Sequence, residues 1–275
     1  MKKVFDMLRL DGKVAIVTGG TAGGTCGLGY DIACAFAEAG ASLVITSRNA
    51  ESAKPATESL AREYGVEVMV CQLDQQHYDQ AEAMAAAVMK RFGRIDILVN
   101  NAGGIPGGLT GNKDGNLFAR GTDIIKAVID VNLTGMIYCC KAVGQHMMRQ
   151  KFGKIINIGS IAGMRGRDMR MYREAGMTDQ PVDYPAAKGG VISVTRALAG
   201  LMSPSGICVN SISPGGFDRG EPRKFVELYS ERTPLGRMGK IGEDIKGPAL
   251  LLASSAGDYI TGHNLVVDGG FTIWK

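Results

Sequence analysis

Short apolar runs rich in β-branched residues alternate along the chain with longer segments of helical periodicity. Seven runs have the length of buried strands: Val14–Val17, Leu43–Thr46, Val66–Val70, Ile97–Val99, Ile155–Ile158, Ile207–Ile212 and Leu265–Val267. Five segments between them are predicted as helices: Gly29–Ala39, Ala50–Tyr64, Gln80–Phe92, Ile124–Met148 and Tyr184–Leu201. Such alternation is typical of βαβ units. It predicts an α/β protein with a doubly wound, seven-stranded parallel sheet and helices on both faces.

Three segments interrupt this alternation, and each follows a predicted strand. They are Thr21–Cys26, Gly103–Gly121 and Arg165–Pro181. In an open parallel sheet, ligands bind beyond the carboxyl ends of the strands, so we expect these segments on the ligand side. A solvated surface insert is the alternative for each of them. The sequence contains no linker or internal repeat. We therefore predict one domain, 1–275, with substrate loops at 104–121, 165–181 and 217–232.

Composition narrows the function classes. The chain has 275 residues, of which 45% are hydrophobic and 21% charged, as in globular proteins. The net charge of +4 comes without a Lys/Arg run, which argues against nucleic acid as a partner. The six cysteines form no C-x-x-C pair, so reduced thiols are expected and no metal site is predicted. No apolar stretch suggests a signal peptide or a membrane span, and we expect a cytoplasmic protein.

A glycine-rich loop joins the first predicted strand to the first long helix. It runs from Thr18 to Gly29 and contains Gly19, Gly27 and Gly29. Glycines allow the backbone to approach a pyrophosphate, and the helix N-terminus offers free N–H groups and a positive dipole end. The loop therefore indicates dinucleotide binding, although glycine-rich strings alone are weak evidence.

Tyr184 and Lys188 are the strongest candidates for chemistry. They are four residues apart at the start of a predicted helix, so phenol and ammonium share one face. A nearby cation favours the phenolate and lowers the pKa of tyrosine, which is ordinarily about 10. Ser160 lies at the end of the fifth predicted strand, and Asn132 lies within the long fourth helix. The spacing of Tyr184 and Lys188 indicates that Tyr184 is an acid–base group.

In these motifs the chain resembles the short-chain dehydrogenase/reductase family, whose fold is of the Rossmann type. Thr18-Gly19 with Gly27-Leu28-Gly29 is similar to the family's phosphate loop, and Asn100-Asn101-Ala102-Gly103 to its Asn-Asn-Ala-Gly motif. Seven residues separate Gly19 from Gly27, where the family has three. Ser160 and Tyr184 are also 24 positions apart, more than is usual in the family. The extra length is the 165–181 segment.

The resemblance implies a role for each of four residues. Tyr184 exchanges the hydroxyl proton, Ser160 stabilises the substrate oxygen, and Lys188 lowers the pKa of Tyr184 and holds the nicotinamide ribose. Asn132 anchors a water molecule that carries protons to and from Lys188. The enzyme would then be an NAD(P)-dependent oxidoreductase acting on CH–OH groups, with the hydride chemistry supplied by the cofactor.

The second predicted strand bears on the choice between NADP and NAD. It ends at Ser47-Arg48 without a carboxylate, which favours the 2′-phosphate of NADP. Stacking of Arg48 on adenine would be consistent with NAD. The resemblance implies further cofactor contacts at the adenine, beside the fourth strand and at the nicotinamide. These contacts are Asp74; Asn101, Ala102 and Gly103; and Pro214, Gly215 and Phe217. Arg219 stands where many members have threonine.

The substrate and the assembly state are expected from resemblance alone. Similarity to sugar-directed members, including gluconate 5-dehydrogenase, implies a sugar, polyol or sugar acid. Arg167, Arg170, Tyr172 and Arg173 could meet such a polar or anionic substrate, or could form a solvated loop. A 3-oxoacyl-[acyl-carrier-protein] reductase is an alternative, and a catalytically silent dinucleotide sensor is another. Members are commonly homotetramers, joined through the fourth and fifth predicted helices and the C-terminus.

Overall fold

The computed structural model describes residues 3–21, 27–105 and 116–274. The strands are β1 Val14–Thr18, β2 Ser42–Ser47, β3 Val68–Gln72, β4 Ile97–Asn100, β5 Gly153–Ile158, β6 Ile207–Pro214, β7 Phe217–Asp218, β8 Gly239–Lys240 and β9 Asn264–Val267. The α-helices are α1 Val4–Met7, α2 Leu28–Glu38, α3 Ala50–Tyr64, α4 Tyr78–Phe92, α5 Thr122–Ile129, α6 Gly135–Gln150, α7 Met169–Glu174, α8 Asp183–Met202, α9 Arg223–Glu231 and α10 Lys246–Ala253.

Seven strands form one parallel sheet in the order β3-β2-β1-β4-β5-β6-β9. These are the seven apolar runs, so the predicted doubly wound α/β fold is confirmed. The chain order reverses between β1 and β4, which lie side by side. At such a switch point the two crossover connections leave in opposite directions and open a crevice at the carboxyl ends of the strands. The ligand site is therefore expected beyond Thr18 and Asn100.

Helices cover both faces of the sheet, which explains why the strands are apolar throughout rather than alternating. Successive β1 residues point to opposite faces: Val17 packs toward α2 and α10, whereas Ile16 packs toward α4 and α6. Both side chains are fully buried. A strand buried on both sides gains stability from every side chain, so a continuous apolar run is favoured over a period of two.

The predicted fourth helix is interrupted by a π-helical turn at Asp130–Thr134 between α5 and α6. Asn132 accounts for the interruption. Its side-chain Nδ2 donates to the Val128 carbonyl at 2.9 Å, the group that the Asn132 backbone N–H would bind in an α-helix. Competition from a side-chain amide for the i−4 carbonyl widens the turn. The stretch Thr122–Gln150 has the length and composition of a membrane span, but half of its most apolar window is buried inside the protein, as in a core helix.

The 165–181 segment contains a short helix, α7, which packs against α9. Tyr172 of α7 is 5.1 Å from Phe225 of α9 between ring centres, and Tyr229 stacks on Phe271 at 4.3 Å. This aromatic cluster joins α7, α9 and the C-terminal segment into a small layer beside the carboxyl end of the sheet. The helical part of the segment, α7, is thus packed against the protein and is not a solvated insert.

Asn157, on β5, connects the sheet to α8. Asn100 Nδ2 donates to Asn157 Oδ1 at 2.8 Å, and Asn157 Nδ2 donates to Thr195 Oγ1 at 3.0 Å. All three residues are buried. A buried polar group without a partner is costly, so this chain of hydrogen bonds fixes the end of β4 relative to α8.

Replacing Asn157 with alanine is expected to lower the free energy of unfolding by about 2–4 kcal/mol. The substitution leaves Asn100 Nδ2 with only the weak acceptor Cys140 Sγ at 3.2 Å and opens a small cavity. Urea denaturation measures the change. Gln72→Ala, at an exposed position of β3, is the matched control and should shift the free energy by less than about 0.5 kcal/mol. Equal effects of the two substitutions would contradict the assignment.

Candidate active site

Two cavities meet beyond the carboxyl ends of the strands. The smaller has a volume of about 230 Å³, and the larger about 710 Å³. Ser160, Gly215 and Arg219 line both. The smaller cavity lies at the β1–β4 switch point and brings together most of the residues expected from sequence. These are Gly19, Gly27, Leu28, Gly29, Asn101, Ala102, Gly103, Ser160, Tyr184, Lys188, Pro214 and Gly215.

The larger cavity is bounded by the 165–181 segment, α9 and the C-terminal segment. Arg167 and Gln180 contribute from the first, Phe225 from α9 and Trp274 from the last. The aromatic cluster forms an apolar wall, and five arginines and three carboxylates lie elsewhere in the lining. A cavity with both surfaces suits a small molecule that has hydroxyl or charged groups on a carbon skeleton.

The glycines at the switch point stand where a side chain would not fit. A Cβ on Gly29 would lie 2.3 Å from Asn101 Nδ2, and one on Gly19 would lie 2.9 Å from Ala102 Cα. Gly19 also has a φ of +63°. The backbone here can therefore reach a ligand at close range, and the N-terminus of α2 follows at once. These features fit the diphosphate of a dinucleotide. The inserted loop expected at Thr21–Cys26 lies, beyond Thr21, outside the described residues.

Thr18 and Asn101 hold the ends of β1 and β4 together. Asn101 Nδ2 donates to the carbonyls of Thr18 and Gly19 at 2.9 and 3.2 Å. Thr18 Oγ1 accepts from the backbone N–H groups of Asn101 and Ala102, each at 3.0 Å. Backbone N–H and C=O groups at the ends of the two strands thus have hydrogen-bond partners. These bonds fix the conformation of the floor of the smaller cavity.

Tyr184 and Lys188 lie one turn apart on α8, as predicted. Lys188 Nζ is 5.6 Å from the centre of the Tyr184 ring and donates to the Ile158 carbonyl at 2.7 Å. Arg167 lies on the ring as well, with its Cζ 5.4 Å from the centre. Ser160 lies two residues after the end of β5 and lines both cavities. The hydroxyl, phenol and ammonium are therefore brought together at the boundary between the two cavities.

Burial dominates the titration of this cluster. It lowers the pKa of Lys188 to about 8, because a buried ammonium loses its hydration. Burial also raises the pKa of Tyr184, while the charge of Arg167, a hydrogen bond with Ser160 and the charge of Arg219 act in the opposite direction. The expected lowering of the pKa of Tyr184 is therefore not found in this state, because burial outweighs the nearby charges and the pKa is raised. Tyr184 is protonated at neutral pH.

A buried ion pair anchors the start of α8. The Arg120 guanidinium donates to the carboxylate of Asp183, and both side chains are almost fully buried. The same carboxylate accepts from the Tyr184 backbone N–H at 2.8 Å. Sequence reasoning missed this pair, since residues 63 positions apart give no local signal. An acidic residue in the first helical turn was the available hint.

Asn132 and Gln75 tie neighbouring loops to the π-helical turn. Asn132 Oδ1 accepts from the Gly104 N–H at 2.8 Å, and Asn132 Nδ2 donates to the Gly104 carbonyl at 2.7 Å. Gln75, which sequence reasoning missed, donates to the carbonyls of Ala102 and Val131 at 2.9 and 2.6 Å. Asn132 is buried beneath the site. It does not belong to the described linings of the two cavities.

Ser47, Arg48 and Asp74 lie at or just beyond the carboxyl ends of β2 and β3, apart from the described linings of the two cavities. Arg48 is exposed, and Ser47 Oγ accepts from the Asn49 backbone N–H at 3.2 Å. Asp74 Oδ1 accepts from the Gln76 N–H at 3.1 Å. The three residues border the crevice on the side where an adenosine would lie in a doubly wound fold.

The turn after β6 is held by Tyr229, another residue that sequence reasoning missed. Tyr229 Oη accepts from the Gly216 N–H at 2.6 Å, and the Gly215 N–H donates to the Val267 carbonyl at 2.9 Å. A Cβ on Gly216 would lie 2.8 Å from Tyr229 Cζ. Phe217 is buried in β7 and lines the larger cavity rather than the smaller one.

Comparisons with known proteins agree with this arrangement. A family model described as Enoyl-(Acyl carrier protein) reductase matches residues 22–272. The NADP-dependent mannitol dehydrogenase of Hypocrea jecorina is 37% identical over 98% of this chain and 96% of its own length. A 3-oxoacyl-[acyl-carrier-protein] reductase of Chlamydia muridarum is 36% identical over 94% of this chain and 96% of its own.

Solved structures give the same result. A gluconate 5-dehydrogenase from Burkholderia cenocepacia, in complex with NADP and tartrate, superposes with a TM-score of 0.85 at 33% identity, covering 99% of this chain and 100% of that one. A short-chain type dehydrogenase/reductase from Mycobacterium marinum has a TM-score of 0.85 at 30% identity, over 98% and 99% of the two chains. With the parallel sheet, the glycine-lined crevice and the Ser160–Tyr184–Lys188 cluster, these matches identify the chain as a member of the short-chain dehydrogenase/reductase family of NAD(P)-dependent oxidoreductases acting on CH–OH groups.

Proposed function

We propose that this enzyme transfers a hydride between NADP(H) and the secondary alcohol or ketone of a sugar, polyol or sugar acid. One observation carries the proposal: Ser160 and Tyr184 lie where a glycine-lined crevice meets a larger cavity rich in polar side chains. The crevice suits a dinucleotide, and the cavity suits a small hydroxylated substrate. On this proposal one domain, 1–275, performs both tasks, with substrate loops at 104–121, 165–181 and 217–232. Residues 106–115 of the first loop lie outside the described residues.

We assign the proton to Tyr184. Its raised pKa keeps the phenol protonated at neutral pH, ready to donate to a carbonyl oxygen during reduction. Ser160 would donate a hydrogen bond to the same oxygen and stabilise its developing charge. Lys188 would place a positive charge beside the phenol. Asn132 would fix the backbone of the neighbouring loop at Gly104. In the proposed reaction the bound NADP(H) supplies or accepts the hydride.

The residues at the crevice fit a dinucleotide. Gly19, Gly27, Leu28 and Gly29 would approach its diphosphate, and Lys188 its ribose. Asn101, Ala102 and Gly103, with the Pro214–Gly215 turn and Phe217, would border the nicotinamide. Asp74 would lie toward the adenine. Arg48 and Ser47 offer a cation and a hydroxyl to a 2′-phosphate, which favours NADP over NAD. The NADP-dependent mannitol dehydrogenase relative supports that preference.

Arg48→Gln is expected to weaken NADP binding about tenfold and to leave NAD binding nearly unchanged. Only NADP has the 2′-phosphate, and an exposed charge-assisted hydrogen bond contributes about that much. Fluorescence titration with each cofactor measures both constants. Arg62→Gln, at the far end of α3, is the matched control. Parallel losses for NADP and NAD would assign Arg48 to adenine stacking instead.

The arginine-rich lining favours a polyol or sugar acid over an acyl chain. A fatty acyl group would require a predominantly apolar tunnel, whereas five arginines line the larger cavity. The 3-oxoacyl-[acyl-carrier-protein] reductase stays as the second candidate, because a relative with that name is 36% identical. A turnover screen of mannitol, gluconate and a 3-oxoacyl thioester with NADP(H) and NAD(H) separates the two. Highest kcat/KM on the thioester would overturn the first proposal.

Tyr184→Phe is expected to lower kcat at least about 100-fold and to keep NADP affinity within about twofold. The variant removes the proton donor but retains the ring between Arg167 and Lys188. Steady-state kinetics and cofactor titration measure the two effects. Tyr259→Phe, at a fully exposed ring, is the control. Normal turnover by the Tyr184 variant would refute the proposed mechanism.

We also propose a homotetramer. Exposed apolar side chains lie on the expected interface elements: Leu201 at the end of α8 is 68% exposed, and Ile273 in the C-terminal segment is 74% exposed. Burying such groups between copies would be favourable. Light scattering coupled to size-exclusion chromatography should give four times the mass of one chain. A monomeric mass at micromolar concentration would contradict this proposal.

A further inference from the structure

The described lining of the larger cavity contains more cationic than anionic side chains. Its arginines are Arg165, Arg167, Arg170, Arg219 and Arg232, and its carboxylates are Asp168, Glu221 and Glu231. Hydrogen bonds divide the arginines into two groups, because some are already committed to protein oxygens and others are not.

Three of the arginines have partners that hold them. Arg170 donates two hydrogen bonds to the carboxylate of Asp168, at 2.8 and 3.0 Å. Arg232 Nε lies 4.0 Å from the same carboxylate. Arg165 donates to backbone carbonyls of the C-terminal segment, including that of Thr272 at 2.6 Å. These three guanidinium groups are engaged in holding the cavity walls together.

Arg167 and Arg219 differ from them. Arg167 donates to the neutral Gln180 Oε1 at 3.2 Å and lies over the Tyr184 ring. The backbone N–H of Arg219 donates to Glu221 at 2.6 Å. Neither guanidinium forms an ion pair with a carboxylate in the part of the chain that the structure describes. These two guanidinium groups therefore retain N–H donors for a ligand on the side of the cavity near Tyr184.

We propose that Arg167 and Arg219 form an anion subsite, which binds a carboxylate of the substrate close to the carbon oxidised or reduced at Tyr184. The inference rests on the proposed function and narrows its substrate class to hydroxy acids and oxo acids. A planar guanidinium matches a carboxylate with two parallel hydrogen bonds, and Arg167 is half-buried, where such bonds are stronger.

The subsite is coupled to the proton donor. Arg167 and Arg219 both lower the pKa of Tyr184 by their charge. A carboxylate bound between them offsets that charge, so the pKa of Tyr184 rises and the phenol holds its proton more firmly. Binding of an oxo acid would thus keep the tyrosine in the donor form that reduction requires.

Calorimetric titration of the NADPH-loaded full chain with tartrate and with threitol, its neutral tetritol counterpart, tests the proposal without turnover, because the reduced cofactor cannot oxidise an alcohol. We expect the wild-type protein to bind tartrate at least about 10-fold more tightly. Arg167→Gln and Arg219→Gln should each weaken tartrate binding about 10- to 100-fold, as for a lost charge-assisted pair. Arg9→Gln and Arg91→Gln, on ion-paired surface arginines outside the proposed substrate loops, are the matched controls and should retain wild-type affinity.

Several outcomes would overturn the subsite. They are equal affinity for tartrate and threitol, no measurable tartrate binding, or unchanged tartrate affinity in the Arg167 variant. Because Arg219 also lines the smaller cavity, NADP affinity is measured in parallel. Loss of NADP affinity without loss of tartrate affinity would assign Arg219 to the cofactor. Failure of the proposed function would instead appear as normal turnover by Tyr184→Phe, a result independent of these titrations.

A kinetic readout separates substrate binding from a merely structural role. Arg167→Gln should lower the ratio of kcat/KM for gluconate to that for mannitol about 10- to 100-fold. It should also move the acidic limb of alcohol oxidation to higher pH, because oxidation needs the phenolate and the pKa of Tyr184 rises without Arg167. Arg91→Gln, the control outside the proposed substrate loops, should change neither. A loss that is equal for both substrates, at an unchanged pH profile, would contradict the proposal.

Discussion

The buried ammonium of Lys188 is the constraint on which the site depends. An ion removed from water loses hydration, and among the described residues the hydrogen-bond partner of this ammonium is a neutral carbonyl, that of Ile158. The ammonium is buried at the end of β5, and burial lowers the pKa of Lys188 to about 8. Holding the ammonium there draws the first turns of α8 against the sheet. Tyr184 is thereby brought to the edge where Ser160 emerges.

The loops around this cation are kept in place by side chains bonded to backbone. Thr18 and Asn101 join β1 to β4, Asn132 joins the π-helical turn to Gly104, and Tyr229 holds the turn after β6. Parallel strands leave polar backbone groups at their carboxyl ends, and each group must find a partner. Because side chains supply these partners, the loops at the carboxyl ends of the strands are rigid. A cofactor can then bind without rearrangement of these loops.

The sheet and its helices could be predicted because every buried strand had a local apolar signature, and α3 was predicted at its observed bounds. The catalytic cluster could be predicted because Tyr184 and Lys188 are four residues apart on one helix. The Arg120–Asp183 pair could not, since partners 63 positions apart meet only after folding. The π-helical turn at Asn132 was also missed, because it results from one side chain competing for one carbonyl.

The aspartates of the 165–181 segment have a consequence for how specificity can change. Asp168 and Asp179 neutralise Arg170 and Arg173 on the same small helix and the loop after it. Neither aspartate belongs to the buried core, but Asp168 also accepts from the Arg170 backbone N–H as the N-cap of α7. Asparagine, which caps helices equally well, is therefore the neutral replacement compatible with the fold. Loss of Asp168 would release Arg170 into the larger cavity and raise its positive charge. On the proposed function, a single surface substitution would thus shift the preferred substrates toward more highly charged ones without changing the proposed catalytic residues.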